Sequence, residues 1–147
     1  MRNSLIAESL IFLLLYPLTI NPALSKNIDN QLLINQLEGH LNKGKGNLLK
    51  DLFLQKSFNQ FNRQYLDFRK KYKDAKWSIQ PIKNDQNKSL LDIKIISTRK
   101  INDQIYNLNT KQTVKVETYK NKIKGYEVIN EESILNSQNS PLIIKIV

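Results

Sequence analysis

The hydrophobic residues of this chain change their spacing once, near Trp77, and that change limits the folds open to it. Before Trp77 apolar residues recur every three or four positions, as in amphipathic helices, and after it they alternate with polar residues, as in strands with one buried face. Short turns separate the strands, whereas a parallel connection needs a dozen residues or more. The pattern predicts an α+β domain of helices packed on an antiparallel sheet.

Three helices are expected before this point. Asp29 is a candidate N-cap for the first, which should end in the glycine-containing connector at residues 43–47, and the second should cover residues 47–55. Ser57 is a candidate N-cap for the third. The third helix carries one aromatic stripe with spacings of three and four, formed by Phe58, Phe61, Tyr65, Phe68 and Tyr72. Such a stripe is typical of core packing, and a ligand-stacking surface is the alternative.

Five stretches after the change in spacing are expected to be strands. They are residues 77–82, 91–96, 105–108, 113–119 and 123–135. Turns are expected at residues 84–87, 102–103 and 120–122, where asparagine, aspartate and lysine cluster. Pro81 cannot donate a ladder hydrogen bond, which places the first strand at a sheet edge or ends it there.

The final residues, 140–147, form a β-branched run that favours an extra strand. Such a run must pair with something, since an exposed apolar strand aggregates. It either adds to this sheet or begins a second domain in a longer protein of which this is a truncated form. The turn-like spacer at residues 136–141 favours the second interpretation.

The first 25 residues have the features of a secretory signal peptide. Residues 10–20 are an uncharged apolar run, too short as a helix to cross a hydrocarbon core of about 30 Å. Ala23 and Ser25 place small residues where signal peptidase requires them before Lys26. We predict a signal peptide over residues 1–25, cleaved after Ser25, and export to the periplasm, a lumen or the extracellular space.

Two alternatives to the signal peptide stay open, an uncleaved anchor and an apolar first helix of a cytosolic protein. A membrane would be a partner only through an uncleaved N-terminal segment. The domain itself should span residues 26–139.

Composition excludes several kinds of site. The chain has no cysteine and one histidine, which rules out disulfides, thiolate chemistry and a two-histidine metal motif within it. We therefore predict no metal and no cofactor. The net charge of +10 comes largely from lysine, with only four arginines, whereas readers of bases and phosphates rely on arginine. Nucleic acid is not the partner we expect, and polyanion binding is kept as an alternative because lysine also binds phosphate.

The order of these elements resembles the nuclear transport factor 2-like superfamily. An amphipathic helix, a short helix and an aromatic helix ending in residues 72–77 precede the long strands. Residues 113–128 are similar to that superfamily's last hairpin, in which a strand, a tight turn and an "I-x-G-Y" return strand recur. The resemblance implies a sheet curled around the third helix into a cone with an internal pocket, in an exported bacterial member. A cystatin-like roll is the competing fold.

Within such a cone, aromatic residues of the third helix and the first strands should line the pocket. The candidates are Phe61, Tyr65, Phe68, Trp77 and Tyr106.

Catalytic members of the superfamily typically hold an acid–base residue in the cone, often an Asp–His pair with tyrosines. The chain offers His40, Asp67, Asp92 and Glu117. His40 lies beside the glycine connector and is expected at the surface or as a C-cap. Asp67 lies off the centre of the aromatic stripe, and the other two alternate with apolar neighbours and should face solvent. No pair can be placed within reach, so no catalytic residue is predicted.

The function expected from these features is an exported, non-enzymatic binding module. Its partner would be a small apolar ligand or an envelope protein, bound through the apolar pocket. The first alternative is a small cofactor-free enzyme of the dehydratase or isomerase type, and the second is a polyanion-binding protein. A homodimer is left open.

Overall fold

A computed structural model describes the backbone of residues 22–137 and 140–146 and the side chains of residues 29–137. The predicted signal-peptide core, residues 10–20, lies outside this part of the chain. The elements are α1 (Pro22–Lys43), α2 (Gly46–Leu49), a 3₁₀ turn (Lys50–Leu52), α3 (Gln55–Lys71), β1 (Lys76–Asn84), β2 (Lys88–Ile101), β3 (Gln104–Tyr119), β4 (Lys122–Ser137) and β5 (Ser140–Ile146). Helices precede strands and pack on an antiparallel sheet, so the α+β prediction is confirmed.

The sheet is a meander in which each strand pairs antiparallel with the next, in the order β1-β2-β3-β4-β5. Asn102 and Asp103 form the β2–β3 turn with φ of 48° and 64°, and Lys120 and Asn121 form the β3–β4 turn with φ of 49° and 58°. Two-residue turns with both φ values positive match the right-handed twist of the paired strands. Both turns lie where the sequence predicts them, and Pro81 lies on edge strand β1, beside an irregularity in its pairing with β2.

Two predicted strands are one in the structure. Residues 105–108 and 113–119 belong to the continuous β3, because β2 pairs with it without interruption from Ile101↔Gln104 to Lys88↔Glu117. The spacer predicted at residues 136–141 is also wrong in extent, since β4 runs to Ser137 and β5 begins at Ser140. β5 pairs with β4 and adds to this sheet. That residues 140–147 begin a second domain stays a prediction.

The helix starts differ from the predicted ones. Asp29 is not an N-cap, because α1 already begins at Pro22. The N-cap position of α3 is Leu54, which has no side-chain cap hydrogen bond. Ser57, predicted to cap α3, lies inside its first turn and donates its hydroxyl to the carbonyl oxygen of Lys124. The hydroxyl thus joins α3 to β4 instead of capping the helix.

The second helix is shorter than the predicted residues 47–55. Helical structure ends at Leu52, and Phe53 is extended and forms an isolated bridge with Ile123 on β4. Phe53 is 2% exposed and its ring stacks on Phe61 at 4.6 Å between centroids. Burial of this ring in the core and the bridge to β4 therefore end the helix early.

The aromatic stripe of α3 packs as predicted. Phe61 and Tyr65 are buried, and Phe58, Phe68 and Tyr72 are partly buried against the same cluster. On β2 the residues that alternate towards the helices, Leu91, Ile93 and Ile95, are buried beneath them. Burying such side chains contributes roughly 1.5–3 kcal/mol each to folding.

Helix α1 covers the free edge of β1. Asn42 donates its amide Nδ2 to the carbonyl oxygen of Trp77 at 2.9 Å and accepts the backbone N–H of Trp77 at 2.8 Å. One turn earlier, Glu38 accepts the backbone N–H of Ile79 at 2.6 Å. Side chains four residues apart on a helix thus pair with alternate residues of a strand. They satisfy an edge that would otherwise attract another strand.

Arg69, on α3, ties together three parts of the fold. Its Nη atoms donate to four carbonyl oxygens, those of Leu41 at 2.7 Å, Asn42 at 3.1 Å, Lys73 at 3.0 Å and Ala75 at 3.1 Å. Its guanidinium carbon lies 4.7 Å from the centroid of the Trp77 ring. The first two carbonyls belong to the last turn of α1, where the carbonyl groups have no donor within the helix. One cation therefore fixes the end of α1, the loop after α3 and the position of Trp77.

Replacing Arg69 should destabilise the fold strongly. In Arg69→Ala, carbonyl groups that are partly buried lose a charged donor, and we expect the free energy of unfolding to fall by about 2 kcal/mol or more. Arg63→Ala is the matched control, since Arg63 is an exposed residue of the same helix. Urea denaturation followed by circular dichroism measures both, and equal losses in the two variants would contradict this role.

Removing the cover from β1 should also cost stability. Asn42→Ala leaves the N–H and carbonyl of Trp77 without their partner, and we expect a loss of about 1–3 kcal/mol. Asn35→Ala is the control. Asn35 is exposed on the same helix and accepts only a surface hydrogen bond from Gln31 at 3.0 Å, worth a few tenths of a kcal/mol. Chemical denaturation measures the free energy of unfolding of both variants. A larger loss in Asn42→Ala than in Asn35→Ala is the contribution of the pairing with β1, beyond any change in helix propensity.

Candidate functional site

A cavity of about 350 Å³ lies between α3 and the sheet, and we call it the α3 cavity. Helices α1 and α3 and strands β1 to β4 all contribute to it. Its apolar lining is Leu41, Phe61, Tyr65, Phe68, Trp77, Ile95, Tyr126 and Val128, and its polar lining is Gln64, Gln112 and Glu131.

Four of the five candidates from the sequence line this cavity, namely Phe61, Tyr65, Phe68 and Trp77. Their rings are in contact: Trp77 lies 5.7 Å from both Tyr65 and Phe68, and Phe61 lies 6.1 Å from Tyr65, between centroids. The structure therefore places one continuous aromatic surface along the cavity.

Tyr106, the fifth candidate, does not line the cavity. It pairs in register with Arg99 near the β2–β3 turn, and its hydroxyl donates to the side chain of Gln104 at 2.9 Å. Ile95 on β2 lines the cavity, and its partner on β3 is Thr110. Tyr106 is four residues further along β3, about 13 Å at 3.3 Å per residue. The hairpin carries it away from the cavity.

The polar part of the cavity is a pair of side chains on neighbouring strands. Gln112 on β3 and Glu131 on β4 are directly opposite, and Gln112 donates its Nε2 to Oε2 of Glu131 at 2.6 Å. The residues next to them, Lys111 and Glu132, also pair in register and point to the other face of the sheet.

Sequence reasoning missed Glu131 because β4 contains a bulge. The pairing changes from Val114↔Val128 to Thr113↔Asn130, so one residue, Ile129, has no partner. An extra residue reverses the alternation, and Val128 and Glu131 therefore face the same cavity although they are three positions apart. The only signal in the sequence is the apolar pair Val128–Ile129, which breaks strict alternation.

Tyr126 is another residue that sequence reasoning did not assign to the pocket. Its ring meets Phe61 edge-on, with centroids 4.8 Å apart. Burial raises the pKa of the Tyr126 phenol well above its usual range, and the negative charge of Glu131 raises it further. The phenol therefore stays protonated and uncharged at neutral pH.

None of the four acid–base candidates lines the α3 cavity. Asp67 is exposed on α3, 3.8 Å from Lys70. Asp92 and Glu117 are half-buried on the sheet face away from the helices, where their carboxylates lie 3.9 Å from Lys111 and 3.4 Å from Lys115.

His40 is half-buried in the last turn of α1, and its Nδ1 is enclosed without a hydrogen-bond partner among the residues described. No ion pair among the described residues joins His40 to Asp67, Asp92 or Glu117. Within residues 22–137 and 140–146, no group of three or more acidic or histidine side chains is placed to hold a metal ion. No helix in that part of the chain is long and apolar enough to span a bilayer.

Comparisons with known proteins leave the family open. No family model matches the chain, and no curated protein and no solved structure gives a significant match. The resemblance to the nuclear transport factor 2-like superfamily stays a prediction from the order of elements and residues 113–128.

The raised pKa of Tyr126 has a consequence at high pH. Above pH 10.0, the ordinary tyrosine value, the unfolded chain loses the Tyr126 proton while the folded chain keeps it. The free energy of unfolding should therefore fall as the pH rises beyond that value. Tyr126→Phe should remove this part of the decline, whereas Tyr119→Phe, at an exposed turn residue, should not.

Ultraviolet titration of the folded protein provides a direct check. One of the six tyrosines should ionise later than the others, and the late step should be absent in Tyr126→Phe only. An unchanged titration in that variant would contradict the assignment.

Proposed function

We propose that this protein is a binding module that holds a small, largely apolar molecule in the α3 cavity. The observation that carries the proposal is the aromatic surface formed by Phe61, Tyr65, Phe68 and Trp77 around an open volume of about 350 Å³. Small-molecule sites are commonly cavities of roughly 300–1,000 Å³ with apolar walls and a few polar groups. The α3 cavity has this composition, with Gln64, Gln112 and Glu131 as its polar groups.

Binding is favoured over catalysis by the state of the polar groups. A dehydratase or isomerase needs an acid and a base with matched pKa values. Tyr126 has its pKa shifted upward and is a poorer acid, and Glu131 is the single carboxylate among the residues that line the cavity. A cofactor-free enzyme using Glu131 as base is the alternative. Polyanion binding is the second alternative, and salt-dependent retention on DNA would test it.

We also propose that the module is exported and has the cone-like fold of the nuclear transport factor 2-like superfamily. Support for export comes from the apolar run at residues 10–20 and the small residues before Lys26. Cleavage after Ser25 would remove the first residues of α1. The described buried residues of α1 begin at Asn30, so the mature chain would keep them. Support for the fold comes from the aromatic helix packed over the sheet and from the final hairpin.

Sequencing the N-terminus of the protein from its source tests the export proposal. The mature chain should begin at Lys26 or within a residue or two of it. A chain that begins at Met1 and fractionates with the cytosol would overturn export but would leave the binding proposal intact.

Filling the cavity should abolish binding without unfolding the protein. Val128 lines the cavity and is 42% exposed, so Val128→Phe places a ring in the opening at a small cost in stability. Ile129→Phe is the control, because Ile129 is the neighbouring bulge residue, 56% exposed, and does not line the cavity. The indole N–H of Trp77, the one tryptophan in the chain, reports on occupancy by NMR.

Phenylpropanol is a suitable probe because it joins an aromatic ring to a short polar chain. We expect it to shift the Trp77 signal in the native protein and in Ile129→Phe, and to bind at least about tenfold more weakly to Val128→Phe. Native mass spectrometry of the protein from its source should also show a retained small molecule. A Trp77 signal that no apolar probe shifts would overturn the proposal.

A further inference from the structure

The charge of the α3 cavity differs from that of the chain around it. The chain has 23 lysine and arginine residues against 13 acidic ones, a net charge of +10. The residues that line the cavity include Glu131 and no lysine or arginine. Three other recesses of similar volume each include a lysine, whereas Glu131 is the one charged residue in the lining of the α3 cavity. This cavity is therefore suited to a ligand of the opposite charge to Glu131.

The carboxylate of Glu131 is oriented but not neutralised. Gln112 donates to one of its oxygens at 2.6 Å, and a carboxylate has about four acceptor sites. The ion pairs among the described residues do not include Glu131. Glu131 is exposed, so a ligand can reach it from solvent.

Two basic side chains, Arg69 and Lys71, lie beside the α3 cavity without lining it. Arg69 lies against the Trp77 ring, but its hydrogen bonds go to backbone carbonyls and to the Tyr65 hydroxyl at 3.3 Å. Lys71 lies in an adjoining recess whose lining also includes Asp67 and Glu131, but no ion pair among the described residues joins Lys71 to Glu131. Neither Arg69 nor Lys71 is among the residues that line the cavity, and the protonated phenol of Tyr126 is uncharged.

We propose that the ligand of the α3 cavity is an organic cation, an amine with an apolar body, whose ammonium group is held by Glu131. The inference rests on the proposed function, since it names the class of molecule that the same cavity binds. The apolar body would lie on Phe61, Phe68 and Trp77, and the ammonium group would bond to the free oxygen of Glu131. Aromatic rings beside the carboxylate favour a cation further, because their faces attract positive charge. An anionic amphiphile would meet the charge of Glu131 without a compensating cation.

Three probes of the same shape and different charge test the proposal. They are phenylpropylammonium, phenylpropanol and phenylpropionate, each titrated at neutral pH and followed by the Trp77 indole signal. We expect the cation to bind about tenfold more tightly than the alcohol, and the anion to bind most weakly. Added salt should weaken binding of the cation and leave that of the alcohol nearly unchanged.

Glu131→Gln and Glu132→Gln form a matched pair of variants, because the two residues are neighbours on β4 that face opposite sides of the sheet. Glu131→Gln should reduce the affinity for the cation to about that for the alcohol, which removes the preference for the cation. Glu132→Gln removes the same charge from the protein and should alter neither affinity.

The outcomes separate this inference from the proposed function. Three results would overturn the inference and leave the cavity as a binding site. They are equal binding of the three probes, tightest binding of the anion, and a preference for the cation that persists in Glu131→Gln. Failure of all three probes to shift the Trp77 signal would overturn the proposed function, and the inference with it.

Discussion

The guanidinium group of Arg69 is the interaction on which the arrangement of helices and sheet most depends. It occupies the carboxyl end of α1, where Leu41 and Asn42 present carbonyl oxygens at the negative end of the helix dipole, and it also binds the carbonyls of Lys73 and Ala75. Its flat face rests on Trp77. Because Trp77 lines the α3 cavity, the group that joins the helices to the sheet also sets one wall of the candidate site.

The first strand is held by α1 as well as by its partner strand. Asn42 and Glu38 take the place of a further strand by pairing with the backbone of Trp77 and Ile79. An amide can donate and accept at once, which lets Asn42 satisfy both groups of Trp77. This pairing covers the edge of β1 at Trp77 and Ile79 and holds α1 beside it, and Leu41 on α1 lines the cavity.

The cavity combines two kinds of surface that arise from different parts of the fold. The helix supplies rings, and their contacts come from the spacing of three and four along α3. The strands supply Gln112 and Glu131, which meet only because β3 and β4 pair in a register interrupted by a bulge. Bulges are often found where a strand must present a side chain to a site, because the extra residue redirects everything beyond it. A ligand with an apolar body and a polar head would use both surfaces.

The sequence by itself determined what depends on neighbours along the chain. The aromatic stripe, the change from helices to strands and the two-residue turns at Asn102–Asp103 and Lys120–Asn121 follow from local spacing and turn chemistry. Phe61, Tyr65 and Phe68 face the cavity together for that reason. Tertiary structure alone decided the rest. In the sequence, Arg69 is one of several cations at the end of a helix, and only the packing of α1 beside it gives it its role. Tyr106 lies away from the cavity because β3 is long. Glu131 faces the cavity because a bulge reverses the alternation of β4. These outcomes depend on register and packing between residues distant in sequence, which no local pattern encodes.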